Sequence, residues 1–191
     1  TAIKKYGSGS VSVSETGDRA RTSNSDEFYI PADTDFADEF WAYFENAAAT
    51  NTNVFYRHGP SQFDLRIING DIVLQAGFDA GAWTLNGGSI PSNTWTHIAV
   101  RRSNGVITLE VDNNVVGTRN YTGAFTDISF KDFSDITFET NTNLGQVNFD
   151  SAVISIGTSE VTGYSQEPRQ SYEFTRGYYP FEGTTTYLDE V

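Results

Sequence analysis

The chain has 191 residues and no cysteine, which excludes disulfides, thiolate zinc sites and cysteine nucleophiles. Its length suits one β-sandwich-sized domain able to form a core without covalent staples. Twelve Lys and Arg against 25 Asp and Glu give a formal net charge of −13, which repels nucleic acid and anionic membrane surfaces at long range; no apolar run reaches the ~20 residues that span a bilayer, and no signal peptide is visible.

In chain order, the dominant hydrophobic period is two. Phe28 and Ile30, then Phe40, Ala42 and Phe44, place apolar side chains on one face with polar neighbours between. Ala47 to Ala49 is too short for an amphipathic helix, and Thr50 to Asn53 reads as a loop. Alternation resumes at Phe63, Leu65 and Ile67, at Ile72 and Leu74, at Ile107, Leu109 and Val111, at Ile136 and Phe138, and at Ala152, Ile154 and Ile156. Such widespread alternation predicts strands with one wet face. The segment from Trp95 to Arg101 is apolar on both faces, with Trp95 and Ala99 opposite Ile98 and Val100, so it belongs at the centre of a sheet. Turn signals separate the strands at Asn69-Gly70-Asp71, Asn86-Gly87-Gly88, Asn104-Gly105 and Asp112-Asn113-Asn114. This spacing indicates a sandwich or barrel. After Gly157 the alternation fades into the linker-like Ser165 to Gln170, and aromatics then crowd the last twenty residues.

The hairpin from Thr94 to Asn114 carries a more specific order: Trp95, His97-Ile98-Ala99-Val100, a polar turn, a strand ending in Val111-Asp112 and a second polar turn. It resembles the central hairpin of laminin-G-like domains, members of the concanavalin A-like lectin/glucanase superfamily. Tyr6-Gly7-Ser8-Gly9-Ser10 followed by Glu15-Thr16-Gly17-Asp18 is similar to the family's opening pattern. Glu39-Phe40-Trp41-Ala42-Tyr43 looks like its "EFWVY" strand, and Gly145 to Ile156 can be laid on its closing strand. The resemblance implies an all-β, two-sheet antiparallel jelly-roll sandwich over residues 1–157. Residues 158–191 then form an aromatic-rich extension that packs on the sandwich or on a partner, a second copy included. The opening motif is also similar to laminin-G-like domains of phage and viral structural proteins.

Because the superfamily contains glycosidases, catalysis needs a direct test. A retaining glycosidase brings two carboxyl groups to about 5–5.5 Å, and the superfamily's glucanases take them from acidic residues two apart on one strand. The nearest approach is Glu110-Val111-Asp112, with no further carboxylate in Asn113 to Val116; it reads as a solvent-facing Glu and an Asp opening a turn. No G-x-S-x-G, H-E-x-x-H or phosphate-cradling glycine motif is present. The two histidines cannot make a histidine-rich metal centre; His97 is expected as a hydrogen-bonded structural residue and His58 at a strand end.

Oxygen ligands offer calcium as the one cofactor expectation. Asp33, Asp35 and Asp38 place carboxylates in one acidic loop, and Ca²⁺ takes six to eight oxygens from such loops. Gly17-Asp18 is a second candidate by family position, and Asn113 and Asn114 fit a turn without a ligand. For sugar recognition, exposed aromatics beside amides are the expected chemistry. Trp83 near Asn86, and Tyr56 near Arg57 and His58, are the candidates on loops, although Trp83 also fits a buried position in a short strand; Trp41 and Trp95 fit the core. The reading is a noncatalytic, surface-exposed module at a virion surface or outside the cell, binding a carbohydrate or a protein receptor. The alternative is a virion structural or decoration protein of capsid or tail, bound to other virion proteins and without a small-molecule ligand.

Overall fold

The computed structural model describes residues 11–14, 19–21, 29–50, 52–58, 63–76, 82–123, 136–139, 143–158 and 177–179. Thirteen strands and no helix occur among them. The period-two segments become β3 (Phe36–Phe44), β4 (Thr52–His58), β5 (Phe63–Ile68), β6 (Asp71–Ala76), β7 (Trp83–Ser89), β8 (Trp95–Ser103), β9 (Val106–Val111), β10 (Asn114–Asn120) and β12 (Val147–Ile156). The short strands are β1 (Val11–Val13), β2 (Arg19–Arg21), β11 (Ile136–Glu139) and β13 (Gly177–Tyr179).

All pairings are antiparallel. One sheet runs β1-β12-β3-β8-β9-β10, with β13 also on β12, and the other runs β2-β11-β4-β5-β6-β7. Both strands of the expected hairpin are found, and β8 lies between β3 and β9 as its two-sided apolarity requires. Gly177–Tyr179 pairs with Ala152–Ile154 of the same chain. The remainder of the extension from residue 159 lies outside the described residues, as do Phe28 and Gly17-Asp18.

The tight turns follow residue chemistry. Asn69 and Gly70, Asn104 and Gly105, and Asp112 and Asn113 all have φ between 48° and 88°, the left-handed values that a two-residue hairpin requires and that Asn, Asp and Gly tolerate. Asn86-Gly87-Gly88 behaves differently from the turn expected there. It lies inside β7, where a bulge displaces the pairing with β6. A Cβ on Gly87 would come within 2.9 Å of Ile72, Leu109 and Val116 side chains from both sheets. Glycine there is a packing requirement for closing the sandwich edge. The expected loop over Thr50 to Asn53 is likewise shortened, since β4 begins at Thr52.

Alternation in β3 sends Phe36, Phe40, Ala42 and Phe44 between the sheets, where they meet Phe55, Phe63 and Leu65. Phe44 and Phe55 meet edge to face at 4.9 Å, and Phe36 lies 5.8 Å from Phe63. Each fully buried phenylalanine stabilises the fold by roughly 1.5–3 kcal/mol, so this aromatic layer is the main adhesive between the two sheets. It also fixes which residues of β3 and β8 point outward, and thereby assembles the outer face of the seven-stranded sheet.

Candidate functional site

Two acidic residues adjacent in β3 leave on opposite faces. Asp38 follows the phenylalanines inward, 1% exposed, and its Oδ2 accepts from Tyr56 Oη at 2.6 Å and faces His58 Nδ1 at 2.5 Å. A carboxylate oxygen at that distance calls for a proton on Nδ1. His58 is fully buried, with Phe63 5.2 Å from its ring, and Tyr56 packs on Phe40 at 4.7 Å. Tyr56 was expected on an exposed loop and His58 at a strand end; His58 does end β4, but Tyr56 belongs to the same strand. Both side chains bridge the sheets from inside rather than facing a ligand, because the β4 alternation that buries Tyr56 also buries His58 two residues on.

The acidic stretch is not drawn together. While Asp38 is inside, Asp35 Oδ1 accepts the Asn104 backbone N–H at 3.0 Å and Asp33 is exposed, its own N–H bonded to Thr122 O at 2.8 Å. Asp33 and Asp35 instead face a buried cation. Arg102 is fully buried and donates to Pro31 O at 2.5 Å, Thr34 O at 2.6 Å and Gly123 O at 2.7 Å. Burial lowers its pKa, and the charges of Asp33 and Asp35 oppose that shift. The guanidinium, held by three backbone carbonyls, ties the 31–34 loop to β8, and the negative charges of Asp33 and Asp35 favour its protonated form. No group of three or more His, Cys, Asp or Glu side chains able to hold a metal ion occurs among the described residues.

Trp83 and Asn86 share β7 but not a surface. Trp83 is 7% exposed, with the Arg119 guanidinium 4.9 Å above its ring and Tyr121 at 5.4 Å, so its faces are already covered. Asn86 is exposed; its Nδ2 donates to Asp71 Oδ2 at 3.1 Å, and its Oδ1 accepts from Gly88 N at 2.7 Å. The four sequence-derived candidates therefore fall in two places, Tyr56 and His58 in the interior and Trp83 and Asn86 at the sandwich edge.

A further polar and aromatic cluster lies on the outer face of the seven-stranded sheet, where Tyr43 and Trp95 are half-exposed and the other members are buried. Register places three rows of side chains across it: Asn148, Tyr43 and Trp95; then Asp150, Trp41 and His97; then Val153, Glu39, Ala99 and Glu110. Glu39 Oε2 lies 3.2 Å from His97 Nε2, and Trp41 lies 5.3 Å from the His97 ring. Glu110, expected to face solvent, is buried and ion-paired with Arg101 one strand away. Asp112 opens the turn as expected, and its Oδ1 also accepts the His97 backbone N–H at 2.9 Å. Glu39 and Glu110 flank Ala99, which sets their Cα atoms about 10 Å apart at the usual strand spacing. Trp41 and Trp95 were expected in the core; Trp41 is buried and Trp95 half-buried, and both belong to this outer face.

Two antiparallel sheets packed face to face around this aromatic layer define a concanavalin A-like jelly-roll sandwich. The laminin G family model of the concanavalin A-like lectin/glucanases superfamily matches residues 14–153, and the chain belongs to that family. Solved structures with the same fold include the binding domain of Paraclostridial Mosquitocidal Protein 1, with a TM-score of 0.63 at 10% identity over 82% of this chain and 41% of that one. The receptor binding domain of botulinum neurotoxin mosaic serotype C/D superposes with a TM-score of 0.62 at 15% identity, over 88% of this chain and 42% of the other. The botulinum neurotoxin serotype D binding domain gives 0.60 at 14% identity, over 83% and 40%. The chain spans about two fifths of the length of these structures. No curated protein sequence matches it.

Proposed function

We propose that this chain is a noncatalytic binding module that recognises carbohydrate on a receptor, displayed outside the cell or on a virion surface. The observation that carries the noncatalytic part is the engagement of Glu39 and of Glu110, the glutamate of the nearest glucanase-like pattern, on the outer sheet face. Glu39 engages His97, Glu110 engages Arg101, and about 10 Å of sheet separates their backbones. Glycoside hydrolysis by retention needs two carboxyl groups about 5–5.5 Å apart aimed at one sugar. The binding part is supported by the family and by three structural neighbours that are themselves binding domains. A virion setting draws support from the opening sequence pattern alone.

The test is retention on immobilised polysaccharides and glycoproteins, with reducing-end release followed in the same samples. Retention without release is the expected result. Release that disappears in Glu110→Gln would make the protein an enzyme and overturn the reading.

A further inference from the structure

We propose that the row of Asn148, Tyr43 and Trp95, with Asn93 and Gln146 at its margin, is a subsite for an uncharged pyranose; this inference rests on the carbohydrate-binding reading above. The row crosses β12, β3 and β8 at one end of the outer face, and Ser12 of β1 pairs with Asn148 to extend it. Four strands side by side make a track of about 14 Å.

Tyr43 and Trp95 are both half-exposed and their ring centres lie 5.8 Å apart, tilted by 59°. Their chemistry suits the apolar face of a sugar ring. The Trp83 ring is different, since Arg119 and Tyr121 cover it. Tyr43 Oη donates to Asn93 Oδ1 at 3.2 Å, which orients the phenol and leaves the exposed Asn93 Nδ2 as a donor beside it. Asn93 is held by a left-handed backbone (φ 57°) and by its N–H bond to Phe44 O at 2.7 Å, so this donor stands on a rigid turn.

The independent observation is Asn148. It is 1% exposed, and its Oδ1 accepts from Gln146 Nε2 at 3.0 Å, which fixes the orientation of the amide. Its Nδ2 then has no hydrogen-bond partner among the described residues. A buried amide donor normally finds an acceptor. Gln146 is half-exposed and also donates to Ser12 Oγ at 2.9 Å. Its displacement by a sugar hydroxyl would supply the acceptor that Asn148 lacks. Charge selects the sugar class: exposed Glu45 accepts the Gln146 N–H at 2.9 Å, Asp150 lies in the next row, and the chain carries −13. Carboxylated sugars are repelled from such a surface, whereas neutral hexoses and N-acetylhexosamines are not.

Calorimetric titration of the full chain with cellotetraose, chitotetraose, N-acetyllactosamine and sialyllactose tests this. At least one neutral oligosaccharide is expected to bind more tightly than sialyllactose. Tyr43→Ala should weaken that binding by about tenfold. Asn93→Gly, which keeps the positive-φ turn, should weaken it by about threefold, and Arg119→Ala at the opposite edge should leave it unchanged. Circular dichroism melts establish that each variant is folded, and Asn93→Gly decides the matter if Tyr43→Ala is not. Binding of the wild-type chain that survives Asn93→Gly and Tyr43→Ala, or that Arg119→Ala removes, places the sugar elsewhere and overturns this subsite while the carbohydrate reading stands. Absence of binding to every oligosaccharide by the wild-type chain overturns the carbohydrate reading itself.

Discussion

Asp38 and Glu39 are neighbours in one strand, both are buried, and each meets one of the chain's two histidines, yet the two pairs occupy different worlds. Asp38 lies between the sheets, where His58 and Tyr56 both converge on one carboxylate oxygen and Oδ1 has no hydrogen-bond partner among the described residues. Glu39 lies on the outer face at the longer distance of 3.2 Å from His97, beside Trp41 and two rows from the proposed sugar subsite. The same pairing thus serves as an internal rivet in one place and as the floor of a surface in the other. A buried ion pair broken on one side leaves an uncompensated charge or dipole, and the penalty grows as the surroundings become less polar.

The comparison breaks first at Asp38. Asp38→Ala strips the acceptor from two buried donors and is expected to lower unfolding free energy by about 3–5 kcal/mol, read from urea denaturation. A loss below about 1 kcal/mol would show that the interior cluster is not a rivet. Next, double-mutant cycles should give a coupling of about 2–3 kcal/mol for Asp38 with His58 and about 0.5–1 kcal/mol for Glu39 with His97. Equal couplings would erase the difference drawn between the faces. Tyr56→Phe removes one hydrogen bond to a charged group and keeps the ring packing on Phe40, so a loss of about 1.5–3 kcal/mol is expected in the same denaturation assay. The smallest effect concerns the loop that precedes both pairs. Asp33 and Asp35 attend Arg102 while Asp38 faces inward, so calcium followed by EDTA should leave the melting temperature unchanged within error. A calcium-dependent rise abolished by Asp35→Asn would show that these carboxylates can regroup around the ion, stabilising the fold by about 2.7 kcal/mol at a hundredfold excess over Kd.

Much of the architecture was legible. The β8–β9 hairpin, its Asn104-Gly105 turn and the central place of β8 follow from local chemistry that the fold retains. Asp38 was legible too: the alternation of Phe40, Ala42 and Phe44 extended backwards passes through Asp38 to Phe36, which places that carboxylate inside. Its polarity suggested a loop instead, and only a partner on the other sheet makes a buried Asp tolerable. Tyr56 and His58 supply that partnership from β4 of the other sheet, a pairing that joins residues 18 and 20 positions apart and that no pattern local to either strand contains. For Asn86-Gly87-Gly88, the glycines signalled close packing in a bulge rather than a chain reversal, two uses of glycine that look alike in one dimension.

The sequence by itself determined the all-β alternation, the left-handed turn positions and the family, because each depends on residues near one another in the chain or on their order. Tertiary structure decided the chemistry of the surface. Asn148, Tyr43 and Trp95 form a row only because β12, β3 and β8 pair in one register. A slip of one residue in that register would exchange the two faces of a strand. That register is set by the phenylalanine layer packed against the opposite sheet, whose contacts join residues far apart in sequence, and no local pattern within β3 contains that information.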